Sequence, residues 1–148
     1  MTTSLTLIMA IGLVGIMSFI PPLFASSAVD KNQITNVIVH VTSSKQKTQQ
    51  SALNYVNALL NNYGNGKLNV EVITVGPGVG LVNTQNRFGP DIQGLISQGV
   101  NISACNTSLN KLKKNNQPIN IVEGVDTGSN GVVRLIELQK EGYHYVHP

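Results

Sequence analysis

From its first charged residue, Asp30, onward, the chain alternates short β-branched runs with stretches whose apolar positions recur every three or four residues. That alternation predicts parallel strands covered by helices. Asn36 to Thr42 (NVIVHVT) is the first expected strand, almost continuous in β-branched side chains, as suits a strand buried on both faces. Ser43-Ser44-Lys45-Gln46 has the spacing of a capping box, in which serine and glutamine side chains satisfy free N–H groups, so a helix is expected to begin there. Ala52, Leu53, Val56, Leu59, Leu60 and Tyr63 form its apolar stripe, and Gly64 stands at the position of a left-handed cap.

Asn65-Gly66 turns the chain into a second strand, Leu68 to Val75, which ends at Gly76-Pro77-Gly78. A loop of about ten residues then leads to a short helix, Pro90 to Gln98, because proline suits a first helical turn and Gly99 a stop. Val100 to Ala104 is the third strand. Asn106, Thr107 and Ser108 are helix-capping residue types, with Leu109 and Leu112 as the buried side of the helix they open. Pro118 to Glu123 is expected as a fourth strand, Ser129 to Lys140 as a helix with Val132, Val133, Leu135 and Ile136 as its apolar residues, and Tyr143 to Val146 as a closing strand. The result is a three-layer α/β/α sandwich around a mainly parallel, five-stranded sheet.

Charge divides the chain in two. No Lys, Arg, Asp or Glu occurs between Met1 and Val29. Leu5 to Ile20 is almost wholly apolar, Pro21 and Pro22 break it, and Ala25-Ser26-Ser27-Ala28 supplies the small residues of a cleavage site. This predicts a signal peptide over residues 1–28, a single domain over 29–148, an exported, periplasmic or extracytoplasmic product, and no membrane association after cleavage; an uncleaved anchor is the weaker alternative, since the run is shorter than the roughly 20 residues of a spanning helix and ends in two prolines. Within 148 residues there is room for one domain. A net charge of +3 with no Trp leaves neither a basic footprint nor a stacking platform, which sets nucleic-acid binding aside.

Cys105 is the one cysteine, and it falls where a strand hands over to a helix. A thiol works as a nucleophile only when ionised, and the free N–H groups of a helix N-terminus favour the anion. Ligands of open α/β sheets also collect outside the carboxyl ends of the strands, so this position is expected to be accessible from a crevice. The bland alternative is a small buried apolar residue. Gly76 and Gly78 form a turn beside the same crevice, without the spacing of a dinucleotide loop. They join Arg87, a candidate for steering an anion, and Asn106 and Thr107 as candidate substrate-binding positions. Lys111, Lys113 and Lys114 fit a solvated helix face. His40 fits a hydrogen-bonded core residue, and His144 and His147 are placed on opposite strand faces, so no metal site is expected. No cofactor motif is present. Asn101 and Asn106 each begin a glycosylation pattern, which matters only on a eukaryotic secretory route.

The order and spacing of VIVHV, ALNYVNALL, VITVGPGVGLV, GVNISACNTSLNKL and GVVRLIELQKEGYHYVHP resemble the DsrE/DsrF-like sulfur-relay family from Asn36 to Pro148. The resemblance implies a flavodoxin-like domain and a homo-oligomer, a trimer being favoured. It also implies a persulfide carried by the cysteine that ends the third strand, here Cys105, with donor and acceptor proteins as partners. The expected function is a thiol-based sulfur carrier or sulfurtransferase. The alternatives are a non-catalytic oligomeric binding module with an inert cysteine, and an assembly stapled by an intersubunit Cys105 disulfide.

Overall fold

A computed structural model describes residues 34–64 and 66–148; the expected signal segment lies outside them. Four parallel strands form one sheet: β1 (Thr35–Val41), β2 (Leu68–Thr74), β3 (Asn101–Ala104) and β4 (His144–Val146), in the order β3-β2-β1-β4. The register pairs Val39 with Val72 and with Val146, and Ile73 with Ser103. Because side chains alternate along a strand, Val37, Val39 and Val41 face one way with Val70, Val72 and Ile102, while Ile38, His40, Glu71, Ile73 and Ser103 face the other.

The two faces are covered unequally. Helix α1 (Gln46–Tyr63), a 3-10 segment (Gly76–Val82), α2 (Gly89–Ser97) and α3 (Asn106–Lys114) pack on the first face, where Ala52, Leu53, Val56, Val79, Leu81, Ile92 and Leu95 close the main core. Among the described residues the second face carries only α4 (Gly131–Lys140), over a core of Ile38, Ile73 and Leu138. So little apolar area leaves room for a polar anchor. Arg134 of α4 donates from Nε and Nη2 to the two carboxylate oxygens of Glu71, at 3.0 and 2.8 Å, and Glu71 is buried in the middle of β2. The pair is bidentate, the strong form of this interaction.

Three expectations need correction. Pro118 to Glu123 is not a strand: Thr84 N–H donates to Asn120 O and Val122 N–H to Val82 O, so the segment spends its backbone groups on the loop after the 3-10 segment. Only Asp126 reaches the edge of β3, accepting from Ala104 N–H and donating to Ile102 O. In α4, Val132, Val133 and Ile136 are 57%, 53% and 47% exposed, because the helix turns Leu135 and Leu138 to the sheet instead. At α1, the capping box does not form. Ser43 Oγ accepts from the Lys45 amide, and Gln49, not Gln46, reaches back to Ser43 O.

At the opposite edge, β4 is held partly by side chains: His40 Nδ1 lies 2.9 Å from the Tyr145 hydroxyl, and Thr42 Oγ1 lies 3.2 Å from His147 Nε2. Burial first, and the nearby His147 second, keep the pKa of His40 below the ordinary 6.5. The unfolded chain therefore takes up this proton at higher pH than the folded one, so stability is complete above pH 6.5 and declines as pH falls below it toward the folded pKa. Urea unfolding between pH 7.5 and 5 should show that decline, and His40→Gln should flatten it. Arg134→Met, which strands the Glu71 carboxylate, should lower stability by about 2–3 kcal/mol in the same assay, the partial exposure of Arg134 moderating the cost.

Candidate functional site

Cys105 is where β3 stops and α3 starts. Its N–H donates to Thr74 O at 2.9 Å, the last strand-like bond, and its carbonyl accepts from Leu109 N–H at 3.1 Å, the first helical one. It is thus the N-cap of α3, as the sequence pattern requires. A second helix arrives at the same point. Gly131, the first residue of α4, packs so closely that a Cβ there would meet Cys105 Cβ at 3.0 Å and Val75 Cγ2 at 2.8 Å. Two helix N-termini, with their free N–H groups, therefore meet at Cys105.

The loop between them is a polar clamp. Asn106 N–H donates to Ser129 O, and Asn106 Nδ2 to Gly128 O at 2.8 Å. Asn130 Nδ2 donates to Thr107 Oγ1, while Asn130 Oδ1 caps α4 by accepting from the amides of Val132 and Val133. Asp126 closes the loop by accepting from Ser129 Oγ and Gly128 N–H; those two bonds, the hydroxyl first, hold its carboxyl below the ordinary carboxylate range.

The thiol is 2% exposed, so the expected crevice access is absent: the first turn of α4 lies over it. Burial acts to raise its pKa and is the largest single influence. Against it stand the Ser108 amide, then the Gly131 amide, the Ser108 hydroxyl and the Thr107 amide, and together they leave the thiol below its ordinary value. The thiol itself makes no side-chain capping hydrogen bond. The sulfur is surrounded by donors rather than fixed by one of them, an arrangement that favours the anion over the neutral thiol.

The other expected site residues separate. Asn106 and Thr107 belong to the clamp. The Gly76 N–H donates to Ser108 Oγ at 2.8 Å, which ties the turn after β2 to the thiol's own neighbour. Gly78 is structural: a Cβ there would fall 2.1 Å from Val41 O, and its amide is spent on Val75 O. Arg87 is exposed and lies over the Phe88 ring, 5.1 Å from its centroid, and it borders none of the cavities next to α3. A cavity of about 480 Å³ lies along β3 toward α4; of its charged walls, Glu71, Arg134 and Asp126 engage protein partners, and Glu137 is the fourth.

Ser108 and Gly131 were missing from the sequence-level site. Ser108 had a local signal, the Cys-x-x-Ser spacing that puts N-cap and N3 on one side of a helix start. Gly131 had none, because its approach to Cys105 is a tertiary contact. Gly131→Ala should force Val75 or α4 to move and destabilise the fold by about 1–3 kcal/mol, measured by denaturant unfolding.

MTH1491, a protein of unknown function from Methanobacterium thermoautotrophicum, has a solved structure similar to this one, with a TM-score of 0.69 and 24% identity over 77% of this chain and 99% of that one. The ychN protein of E. coli superposes with a TM-score of 0.64 at 13% identity, over 78% of this chain and 100% of that one. Both likenesses concern the fold. No curated protein is significantly similar to the chain. The model of the DsrE/DsrF-like family matches residues 35–148, which takes in the whole sheet, all four helices and Cys105, and the chain therefore belongs to the DsrE/DsrF-like family.

Proposed function

We propose that this protein is a thiol-based sulfur carrier, in which Cys105 takes a sulfane sulfur as a persulfide and passes it to an acceptor thiol. The observation that carries the reading is the convergence of the α3 and α4 N-termini on Cys105. In the first step the thiolate attacks the outer sulfur of a donor persulfide; the donor's S–S bond breaks as the new one forms, and the donor leaves as a thiolate. The second step runs the same exchange toward the acceptor. Neither step changes the overall oxidation state, so no cofactor is required. The surrounding N–H groups stabilise negative charge on the Cys105 sulfur at the start of the first exchange and at the end of the second.

The domain's membership of a family linked to sulfur relay supports this reading. The apolar run from Leu5 to Ile20 supports an exported protein, and the exposed Val132, Val133 and Ile136 of α4 support a homo-oligomer, with a trimer as the family resemblance implies. Donor and acceptor proteins remain part of the proposal as partners.

The burial of Cys105 favours one competing reading, a binding module in which the cysteine is inert. It also opposes a disulfide staple, since two such sulfurs would have to approach to about 2 Å.

Alkylation of the native protein by iodoacetamide across pH decides between carrier and inert thiol. For a carrier, modification at Cys105 should reach half its maximum below the value of about 8.5 of a free cysteine. Ser108→Ala should move that midpoint upward. Polysulfide treatment should add one sulfur by intact mass, an addition that Cys105→Ser abolishes. A native protein that resists alkylation until it unfolds would establish the inert thiol.

A further inference from the structure

Between the 3-10 segment and α3 lies a cavity of about 370 Å³ that the chemistry above leaves unused. Pro77, Val79, Leu112 and Ile119 make its walls mainly apolar, Gly76 and Ser108 contribute to its lining, and Lys111 supplies its one charged side chain. Lys111 is exposed and has no acidic partner among the described residues. Ser108, Lys111, Leu112 and Asn115 stand at i, i+3, i+4 and i+7, so the cavity follows one face of α3 for about 10 Å. Its volume is at the small end of the range for organic ligands, about 300–1,000 Å³.

Ser108 is the link to the thiol. It stands three residues after Cys105 in the first turn of α3 and lines the cavity, where its hydroxyl accepts from Gly76 N–H; unlike the backbone amides of Thr107 and Gly131, that hydroxyl is on a side chain able to rotate. With the carrier reading of Cys105 as its premise, the geometry points to this cavity as the seat of a small organic persulfide, R–S–SH, with an apolar body of roughly six carbons and a terminal carboxylate. The carboxylate meets Lys111, the body lies against Pro77, Val79 and Leu112, and the sulfur end abuts Ser108. Rotation of the Ser108 hydroxymethyl group then opens the path to Cys105. The Cys105 thiolate attacks the outer sulfur, the proton stays on that sulfur as Cys105–S–SH forms, and R–S⁻ leaves. No outside oxidant or reductant enters.

Two measurements test the site. Hexanoate is titrated into the Cys105→Ser protein by NMR, and sulfur transfer to the unmodified protein is timed with the persulfides of 6-mercaptohexanoate, hexanethiol and methanethiol. Hexanoate should shift the amides of Gly76, Gly80 and Leu112. Gly80 lines the cavity, and a Cβ added there meets nothing within 4 Å, so Gly80→Phe, whose Cβ clashes with nothing, is the variant chosen to fill the space. It should slow transfer from the 6-mercaptohexanoate persulfide about tenfold and leave the methanethiol persulfide unaffected, while Lys111→Gln should slow the carboxylate donor and spare the hexanethiol one. Unmoved cavity amides overturn the proposal, as does a Gly80→Phe protein that handles all three donors like the parent. If Cys105 accepts sulfur from none of them, the carrier reading fails, and the hexanoate titration still decides the cavity.

Discussion

The ion pair between Glu71 and Arg134 is the interaction on which the second layer of this protein depends. Three buried apolar residues, Ile38, Ile73 and Leu138, are a thin core for a ten-residue helix. At about 1.5–3 kcal/mol for each buried side chain, they position α4 only loosely along its axis. A bidentate pair is directional where apolar contact is not, and it pins the helix four residues after its N-cap. That N-cap region is what covers Cys105. The same pair that fastens the layer therefore sets where the Gly131 amide points, and through it the environment of the sulfur.

Much of this architecture was legible in the sequence, and the parts that were not share a cause. The β1 and β2 runs and the α1 stripe are local patterns that tertiary contacts reinforce, and their boundaries agree to within a few residues. Pro118 to Glu123 has the composition of a strand, yet its amides meet Val82 and its carbonyls Thr84 before any sheet edge is available. Val132, Val133 and Ile136 look like a core stripe, but a helix held by one ion pair on a half-covered sheet turns a different side inward. For the site, the strand-to-helix handover at Cys105 could be read from residue types. The second helix terminus could not, since nothing in Asn130-Gly131 names the cysteine 26 residues earlier that it approaches.

The thiol sits in a balance between two large effects. Burial removes water, which disfavours the anion, and also removes the screening that would weaken the surrounding N–H dipoles. In an exposed position the same amides would lower the pKa less, because solvent competes for the sulfur. In an apolar pocket without them, the thiol would stay protonated and inert. A cysteine at 2% exposure whose acidity is nonetheless enhanced needs both conditions at once, and two converging helix starts are an economical way for a short chain to supply them.

Such a sealed site changes what controls reactivity. A persulfide loses its outer sulfur to any thiol that reaches it, so a carrier in an exposed groove would discharge to whichever small thiol is most abundant. Here the backbone of α4 and the clamp at residues 126–130 close one side, and the side chain of Ser108 forms part of the other. The backbone wall moves only if the clamp and the Glu71–Arg134 pair give way, whereas the Ser108 side chain turns over one torsional barrier with the loss of its hydrogen bond from Gly76 N–H. In the proposed carrier, selectivity then resides in whatever can lie along the α3 face long enough for that turn to matter, which is a property of the cavity lining rather than of the sulfur.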